Sequence, residues 1–373
     1  MGTGAFVVAG ILPLLADGLG TSVSAAGFGV TVYGLVYAAT APLINAWTQR
    51  FERRRVILTG VSLLVLGNVA AALAPGIELF LASRMVTALG GAMFSPVATA
   101  AVAALADERN RGRALAQAAS GIALSTVLGV PLGTFLGYQI GWRATFLAIA
   151  AAGAIVAIGM AWAFPAIGRG SAGGFLERLR LVRDLRVLPV LLATALWTTG
   201  SYTVYTYVAP IFADIAAFDP ARIDRILLLQ GAVSVGATFF TGRFVDRVGA
   251  DRAVVAGFAG LAVSFACLGL LGLLPRAELL LWPAILCVVA WALCGWTLHP
   301  GQQSRLIALA PGNAAVALAL YASAIYVGIA SGAALGGLLL GHLPPGKLAF
   351  VGAACEAAAL VLVIVSRRRS AGL

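Results

Sequence analysis

Apolar positions along this chain come in long, nearly unbroken runs. They show neither the period-2 alternation of half-buried strands nor the narrow stripe of a helix with one wet face. Breakers and charged turns divide the runs into about twelve segments. They lie near 1–17, 26–48, 56–75, 77–105, 113–137, 143–165, 188–213, 225–243, 253–274, 279–300, 312–341 and 347–366. Most are long enough to cross a hydrocarbon core of ~30 Å as helices. Inside lipid the backbone must bond to itself, so helices are predicted rather than open strands. The first segment is short: at ~1.5 Å per residue it reaches roughly 24 Å. It has no basic flank and lacks the charged start of a cleaved signal peptide. A natural start upstream of Met1 is therefore expected.

Composition sharpens this picture. The chain is 61% hydrophobic and 10% charged, with mean hydropathy +0.98. A soluble domain carries about 25% charged residues, so lipid is the expected solvent. The net charge of +11 raises the possibility of a nucleic-acid partner. The arginines, however, sit at segment ends. Arg50, Arg53 to Arg55, Arg109, Arg111, Arg113, Arg169, Arg178, Arg180, Arg183, Arg186, Arg243, Arg247, Arg252, Arg305 and Arg367 to Arg369 fall on one side. The other side receives Arg143, Arg222, Arg225, Arg276 and Lys347. Such asymmetry predicts an even number of spans with both termini cytoplasmic, and it needs no nucleic acid.

Other classes find little support. Cys267, Cys287, Cys294 and Cys355 fall inside apolar runs without the spacing of a zinc site, so no metal is expected. No phosphate-binding Gly-Lys loop is present, so neither ATP nor another cofactor is expected. A membrane-embedded enzyme would need a converging catalytic set. Two distant histidines and one mid-span carboxylate do not make one, and the protein is expected not to be an enzyme.

The segments fall into two halves. The loop 166–187 opens with "GRGSAGG" and continues "FLERLRLVRDLRV". Phe175, Leu176, Leu179, Val182 and Leu185 recur at helical spacing between arginines. That pattern fits either an interfacial helix or a solvated linker helix. The expected organisation is an N-terminal six-helix bundle over 1–165, the linker 166–187, and a C-terminal six-helix bundle over 188–373.

A charged elbow occurs once in each half. "GRFVDRVGADR" spans 242–252, and "NAWTQRFERRR" spans 45–55. Alignment pairs Asn45 with Gly242, Gln49 with Asp246, Arg50 with Arg247 and Glu52 with Gly249. Internal duplication of a helical unit is a common transporter design. Arg50, Gly242, Asp246 and Arg247 are candidates for a conformational latch, because an aspartate at a helix end can bond an arginine or a neighbouring N-terminus. A purely topogenic basic loop is the plainer alternative. Gly129, Gly133 and Gly137 recur every four residues around Pro131, and Gly332, Ala333 and Gly336 repeat the small-residue stripe. Gly129, Pro131 and Gly133 are candidate pivots, and such stripes also serve close helix packing.

These stretches carry a resemblance. "GRFVDRVGADR" resembles the loop signature of the major facilitator superfamily. "LGVPLGT" at 128–134 is similar to the signature of its drug:proton antiporter branch, and "GWRATF" at 141–146 resembles that branch's span 5–6 junction. "YTYVAP" at 205–210 and "ALYASAIYVGIASGAALGG" at 319–337 resemble spans 7 and 11 of arabinose-exporter-like and purine-efflux-like members. The resemblance covers essentially the whole chain. It implies an all-α membrane protein of about twelve transmembrane helices in two pseudo-symmetric six-helix bundles. It also implies a monomeric, proton-coupled exporter of small organic molecules in the bacterial cytoplasmic (inner) membrane. The chain departs from the family at Gln49 and Glu52, where aspartate and glycine are usual. It departs again at Ala5 in "GTGAF", where an acid is usual, and at Tyr321, where asparagine is usual.

Ionisable groups inside spans cost about 2.5–3.5 kcal/mol on insertion scales and are functional candidates by default. Arg84 lies about two turns into the fourth segment and matches the family's arginine there. With Ala5 replacing the acid, Asp17 is its nearest plausible partner, as a structural tie or in proton handling. Glu356 is the one carboxyl placed mid-span, and a buried unpaired carboxyl is what a proton carrier requires. A structural role shared with a serine or carbonyl is the alternative. His299, before Pro300, is expected to cap or pack near a helix end. The resemblance implies a cavity built from spans 1, 4, 7 and 10, flanked by 2, 5, 8 and 11. Candidate lining groups are Tyr33, Tyr37, Ser125, Trp197, Tyr202, Tyr205, Gln230, Trp296, Tyr321 and Tyr326. Rings with a polar tip suit flat amphipathic cargo, though about half should pack instead. An uncoupled facilitator and a non-transporting sensor or decayed paralogue remain the alternatives.

Overall fold

The computed structural model describes residues 2–107, 110–163, 165, 186–310 and 314–371. The interfacial helix expected over 166–187 lies outside these residues, except for Arg186 and Val187. The chain forms two compact units, Met1–Phe175 and Leu176–Leu373.

In the first unit the helices are α1 (Gly2–Gly10), α2 (Leu12–Gly18), α3 (Val23–Thr48) and α4 (Arg53–Ala72). They are followed by α5 (Ile77–Leu105), α6 (Arg111–Val127), α7 (Gly129–Ile140) and α8 (Trp142–Ala163). The second unit holds α9 (Leu188–Thr206), α10 (Val208–Ala216), α11 (Ile223–Val248) and α12 (Ala250–Leu271). It ends with α13 (Leu281–Leu309), α14 (Ala314–Leu340) and α15 (Leu348–Ala371). Among the described residues, ten helical stretches are long and apolar enough to cross a membrane.

The two expected spans outside that set, 1–17 and 188–213, are each two helices joined at one residue. Ile11 (φ −105°, ψ 13°) separates α1 from α2, and Tyr207 (φ −111°, ψ 23°) separates α9 from α10. Proline explains both breaks, because its ring removes a donor and crowds the carbonyl four residues back. Pro13 opens α2, and Pro210 follows Tyr207 by one turn. Leu128 divides α6 from α7 in the same way ahead of Pro131.

Each unit, taken by itself, repeats one packing scheme. In the first, α4 packs on α5 and α8, α3 packs on α5, and α1 packs on α7. In the second, α12 packs on α13 and α15, α11 packs on α13, and α9 packs on α14. In span order these are the same pairs. One pairing differs: α9 lies close along α15, whereas α1 and α2 barely touch α8.

The small-residue stripes make two of these seams. Gly129, Gly133 and Gly137 lie against Thr3, Val7 and Ile11, which are themselves four residues apart on span 1. The Thr3 hydroxyl crosses the seam to the Ser125 carbonyl at 2.6 Å. In the second unit Gly328, Gly332 and Gly336 lie against Thr198, Thr199, Thr203 and Tyr207. Thr203 Oγ1 donates to the Gly332 carbonyl at 3.1 Å and the Tyr207 hydroxyl to the Ala333 carbonyl at 2.8 Å. Glycine lets the backbones approach until threonine hydroxyls reach across to carbonyls.

Candidate functional site

The two elbows fold differently, and one residue explains it. Gly249 joins α11 to α12 alone, with φ at +85°. That region is cheap only for glycine. Its aligned residue, Glu52, sits at φ −62°, ψ 128°. The first elbow therefore ends its helix earlier, at Thr48, and spends four residues on the turn. Trp47 and Phe51 meet edge to face at 4.8 Å there, and Arg50 Nε donates to the Trp47 carbonyl at 3.2 Å.

The ion pairs expected at Asp246 lie five residues on, at Asp251. Asp246 and Arg247 are exposed, and no ion pair joins them among the described residues. Asp251, in the first turn of α12, accepts Arg305 Nε at 2.9 Å and faces Arg367 Nε at 3.5 Å. Arg305 Nη1 in turn donates to Gln302 Oε1 at 2.9 Å. One carboxylate thus ties α12 to α13 and α15. The first unit ties the same three spans with reversed polarity. Arg53 Nη1 donates to the Ala100 carbonyl of α5 at 3.1 Å, and Arg54, aligned with Asp251, donates to the Ala161 carbonyl of α8. Arginines at the carbonyl ends of helices, and an aspartate at an amide end, are both favourable to the helix dipole. Asp251→Ala is expected to cost about 1–2 kcal/mol, between exposed and buried ion pairs, because Asp251 and Arg367 are part-exposed. Thermal unfolding in detergent measures it, and Asp246→Ala should leave stability unchanged.

Arg84 is completely buried. Its Nη1 donates to the Gly4 carbonyl at 3.3 Å, while Nε and Nη2 have no hydrogen-bond partner among the described residues. The guanidinium carbon lies 5.4 Å from the Phe80 ring centre and 4.8 Å from that of Phe146, where ring faces attract cations. Asp17, the partner expected from the sequence, is exposed at the end of α2 and is not brought to Arg84. Instead Asn68, which the sequence reading passed over, adjoins Gly4: a Cβ there would lie 3.7 Å from Asn68 Oδ1. That oxygen is also without a hydrogen-bond partner among the described residues. A lone asparagine in an apolar run is the signal that could have found it.

Glu356 is likewise fully buried, on α15. Ser201 of α9 donates to its Oε1 at 3.2 Å, and Oε2 has no hydrogen-bond partner among the described residues. Gly200 makes room: a Cβ there would lie 2.8 Å from the Gly352 carbonyl and 3.1 Å from Glu356 Oε1. The close α9–α15 seam, peculiar to the second unit, is what encloses this carboxyl. No arginine, lysine or histidine pairs with it among the described residues.

The candidate lining groups divide into separate sets. Trp197, Trp296 and Tyr321 converge on His299, which the sequence reading expected to cap or pack near a helix end. Its ring lies 4.7 Å from Trp197 and 5.2 Å from Trp296, and Nδ1 shares a 2.9 Å hydrogen bond with the Tyr321 hydroxyl. One turn on, Gln302 Nε2 reaches Thr194 Oγ1 at 3.4 Å. Trp296, His299, Gln302 and Arg305 recur every three residues, a polar stripe readable along "WTLHPGQQSR". Tyr202 and Tyr205 pair at 5.5 Å, and Tyr205 meets Trp291 at 6.2 Å, away from His299. In the first unit Tyr33 and Tyr37 are buried and stack at 6.2 Å. Ser125 contributes its carbonyl to the α1 seam, while Gln230 and Tyr326 are half-buried on α11 and α14. Among the described residues, no cluster of three or more His, Cys, Asp or Glu could hold a metal.

Comparison with known proteins places this arrangement. The family described as the Major Facilitator Superfamily matches residues 1–333. The MFS-type transporter YbcL of Bacillus subtilis is 29% identical over 95% of this chain and 89% of its own length. YtbD of the same organism is 30% identical over 98% of this chain and 92% of its own. The inner membrane transport protein YdhP of Escherichia coli is 29% identical over 99% and 93%. Among solved structures, a bacterial homologue of the human lysosomal transporter Spinster, inward-facing and unoccupied, superposes with TM-score 0.75 at 18% identity, covering 98% of this chain and 92% of that one. The Escherichia coli xylose transporter XylE, partially occluded and inward open, gives 0.73 at 14% identity over 96% and 94%. At that identity the likeness carries the fold alone.

Proposed function

Since the chain belongs to the Major Facilitator Superfamily, we propose that it is a proton-coupled secondary transporter that exports a small organic molecule by alternating access. It works in a bacterial inner membrane with both termini in the cytoplasm. The observation that carries the coupling is the Glu356 site. A carboxyl with a serine on one oxygen and, among the described residues, no hydrogen-bond partner on the other and no salt bridge is sealed between α9 and α15. Such a group can exchange its proton only when the seam admits water. Its position opposite α9 joins it to the helix that also carries Trp197, Tyr202 and Tyr205. With Ala5 in span 1, no carboxyl pairs with Arg84 among the described residues, so the second unit supplies the proton carrier. The cargo is flat and amphipathic, matched to the box of Trp197, Trp296, His299 and Tyr321. Drug-like, sugar and purine-like molecules are the classes to screen.

The test is a panel of these compounds followed by transport in proteoliposomes. A compound that raises the unfolding temperature of the purified protein should move against an imposed pH gradient. Binding without pH-driven movement would favour an uncoupled facilitator. Arg84 gives a second test. Apolar replacement of buried charge is often neutral or stabilising, by about 1–4 kcal/mol. Arg84→Met is therefore expected to keep or raise the unfolding temperature and to abolish transport. A large loss of stability would mean that Arg84 is structural.

A further inference from the structure

The second unit contains a cavity of about 340 Å³ that the transport reading does not use. Its walls include Phe240, Thr241 and Phe244 of α11, Ala256 of α12, and Leu293 and Thr297 of α13. Beyond the hydroxyls of Thr241 and Thr297 and the Cys294 thiol, the lining is apolar, and the Thr297 hydroxyl is already bonded to the Leu293 carbonyl at 3.0 Å. Phe240, Phe244 and Leu293 are exposed, so the cavity is a groove open along the side of the unit.

Charge marks one end of this groove. Phe240, Phe244 and Arg247 fall on one stripe of α11, and Arg252 lies one turn before Ala256 on α12. Both arginines are exposed, and neither forms an ion pair among the described residues. The nearby acids do not neutralise them. Asp246 lies two positions from Phe244, on the opposite side of α11, and Asp251 is engaged by Arg305 and Arg367. An apolar trough therefore ends in two unpaired guanidinium groups. This end belongs to the arginine-rich side of the chain, where a bacterial leaflet presents anionic head groups.

We propose that the groove between α11, α12 and α13 binds one anionic phospholipid, with an acyl chain along Phe240, Phe244 and Leu293 and its phosphate held by Arg247 and Arg252. Guanidinium groups suit the phosphate because they donate in a planar fork. The lipid would bridge the second elbow on its membrane side, opposite the face tied by Asp251.

Native mass spectrometry of the full chain, titrated in neutral detergent, tests this directly. Phosphatidylglycerol should bind as a single tight equivalent and phosphatidylcholine about tenfold or more weakly, from roughly fivefold per arginine. Arg247→Gln with Arg252→Gln should erase that preference. Arg225→Gln with Arg276→Gln, which removes exposed charges at the other end of the unit, should retain it. Ala256→Trp, placed on an exposed helix face, should block the groove and remove the tight equivalent. Equal binding of the two lipids by the unaltered protein would overturn the proposal, without recourse to any variant. So would competition by inorganic phosphate alone, or loss in Ala256→Trp with no effect of the arginine changes, which would mark a neutral apolar occupant.

Discussion

Glu356→Gln is expected to leave the protein folded and to reduce pH-driven export to that of vesicles without protein. Glutamine has the size of a neutral carboxyl and can still accept the Ser201 hydroxyl, so stability should change by no more than about 1 kcal/mol. What it lacks is an exchangeable proton. If Glu356 were a packing residue, the same change would be silent. The measurement is therefore a comparison of substrate flux with and without a pH gradient in the unaltered and Gln forms. Exchange of substrate across the membrane at equal pH should survive the substitution. Glu356→Ala separates the alternatives further. It opens a void at the α9–α15 seam and should lower stability by about 2 kcal/mol or more as well as coupling. A loss shared by Gln and Ala reports proton chemistry, and a loss confined to Ala reports packing.

The second large effect concerns the α9–α14 seam. A Cβ on Gly332 would lie 2.9 Å from the Thr203 amide nitrogen and would also press on the Thr199 carbonyl. Both obstacles are backbone, so no rotamer change relieves them. Gly332→Ala is expected to cost about 3 kcal/mol, the upper end for overpacking, and to lower the unfolding temperature markedly. It should also disturb the Thr203 and Tyr207 hydrogen bonds across the seam. Gly236→Ala is the matched control. It lies within α11 with nothing near its prospective side chain, and should gain about 0.5–1 kcal/mol from helix propensity. Gly242, named from the sequence as part of a latch, has the same open surroundings. Its substitution should be tolerated as well.

Much of the fold was legible because lipid imposes simple rules. The fourth segment, expected over 77–105, is the helix Ile77–Leu105. The paired glycine stripes pointed to close seams, and both exist, although Gly328 was passed over. The proline breaks were visible as residues, but not that spans 1 and 7 would each be divided at one position. Single-residue chemistry explains why the elbows diverge, since Glu52 cannot follow Gly249 into positive φ. The site was less legible. Asp246 and Asp251 stand in the same charged motif, and nothing local shows which one faces Arg305, 54 residues away. Arg84 was recognisable as a buried charge, yet its bond to the Gly4 carbonyl depends on how α1 meets α5. His299 was expected to cap or pack near a helix end; it packs, but the aromatic rings from α9, α13 and α14 that enclose it were not foreseen as its partners. Each miss is a pairing between helices distant in sequence, which periodicity within one helix does not encode.

Coupling is the claim on which the functional account turns, and proton movement tests it most directly. Proteoliposomes loaded with a compound selected by thermal stabilisation, and carrying a pH-sensitive dye, should show proton counterflow as the compound is translocated. The account predicts a fixed ratio of protons to substrate in the unaltered protein and no proton movement with Glu356→Gln. Substrate flux with no proton counterflow in the unaltered protein would contradict it.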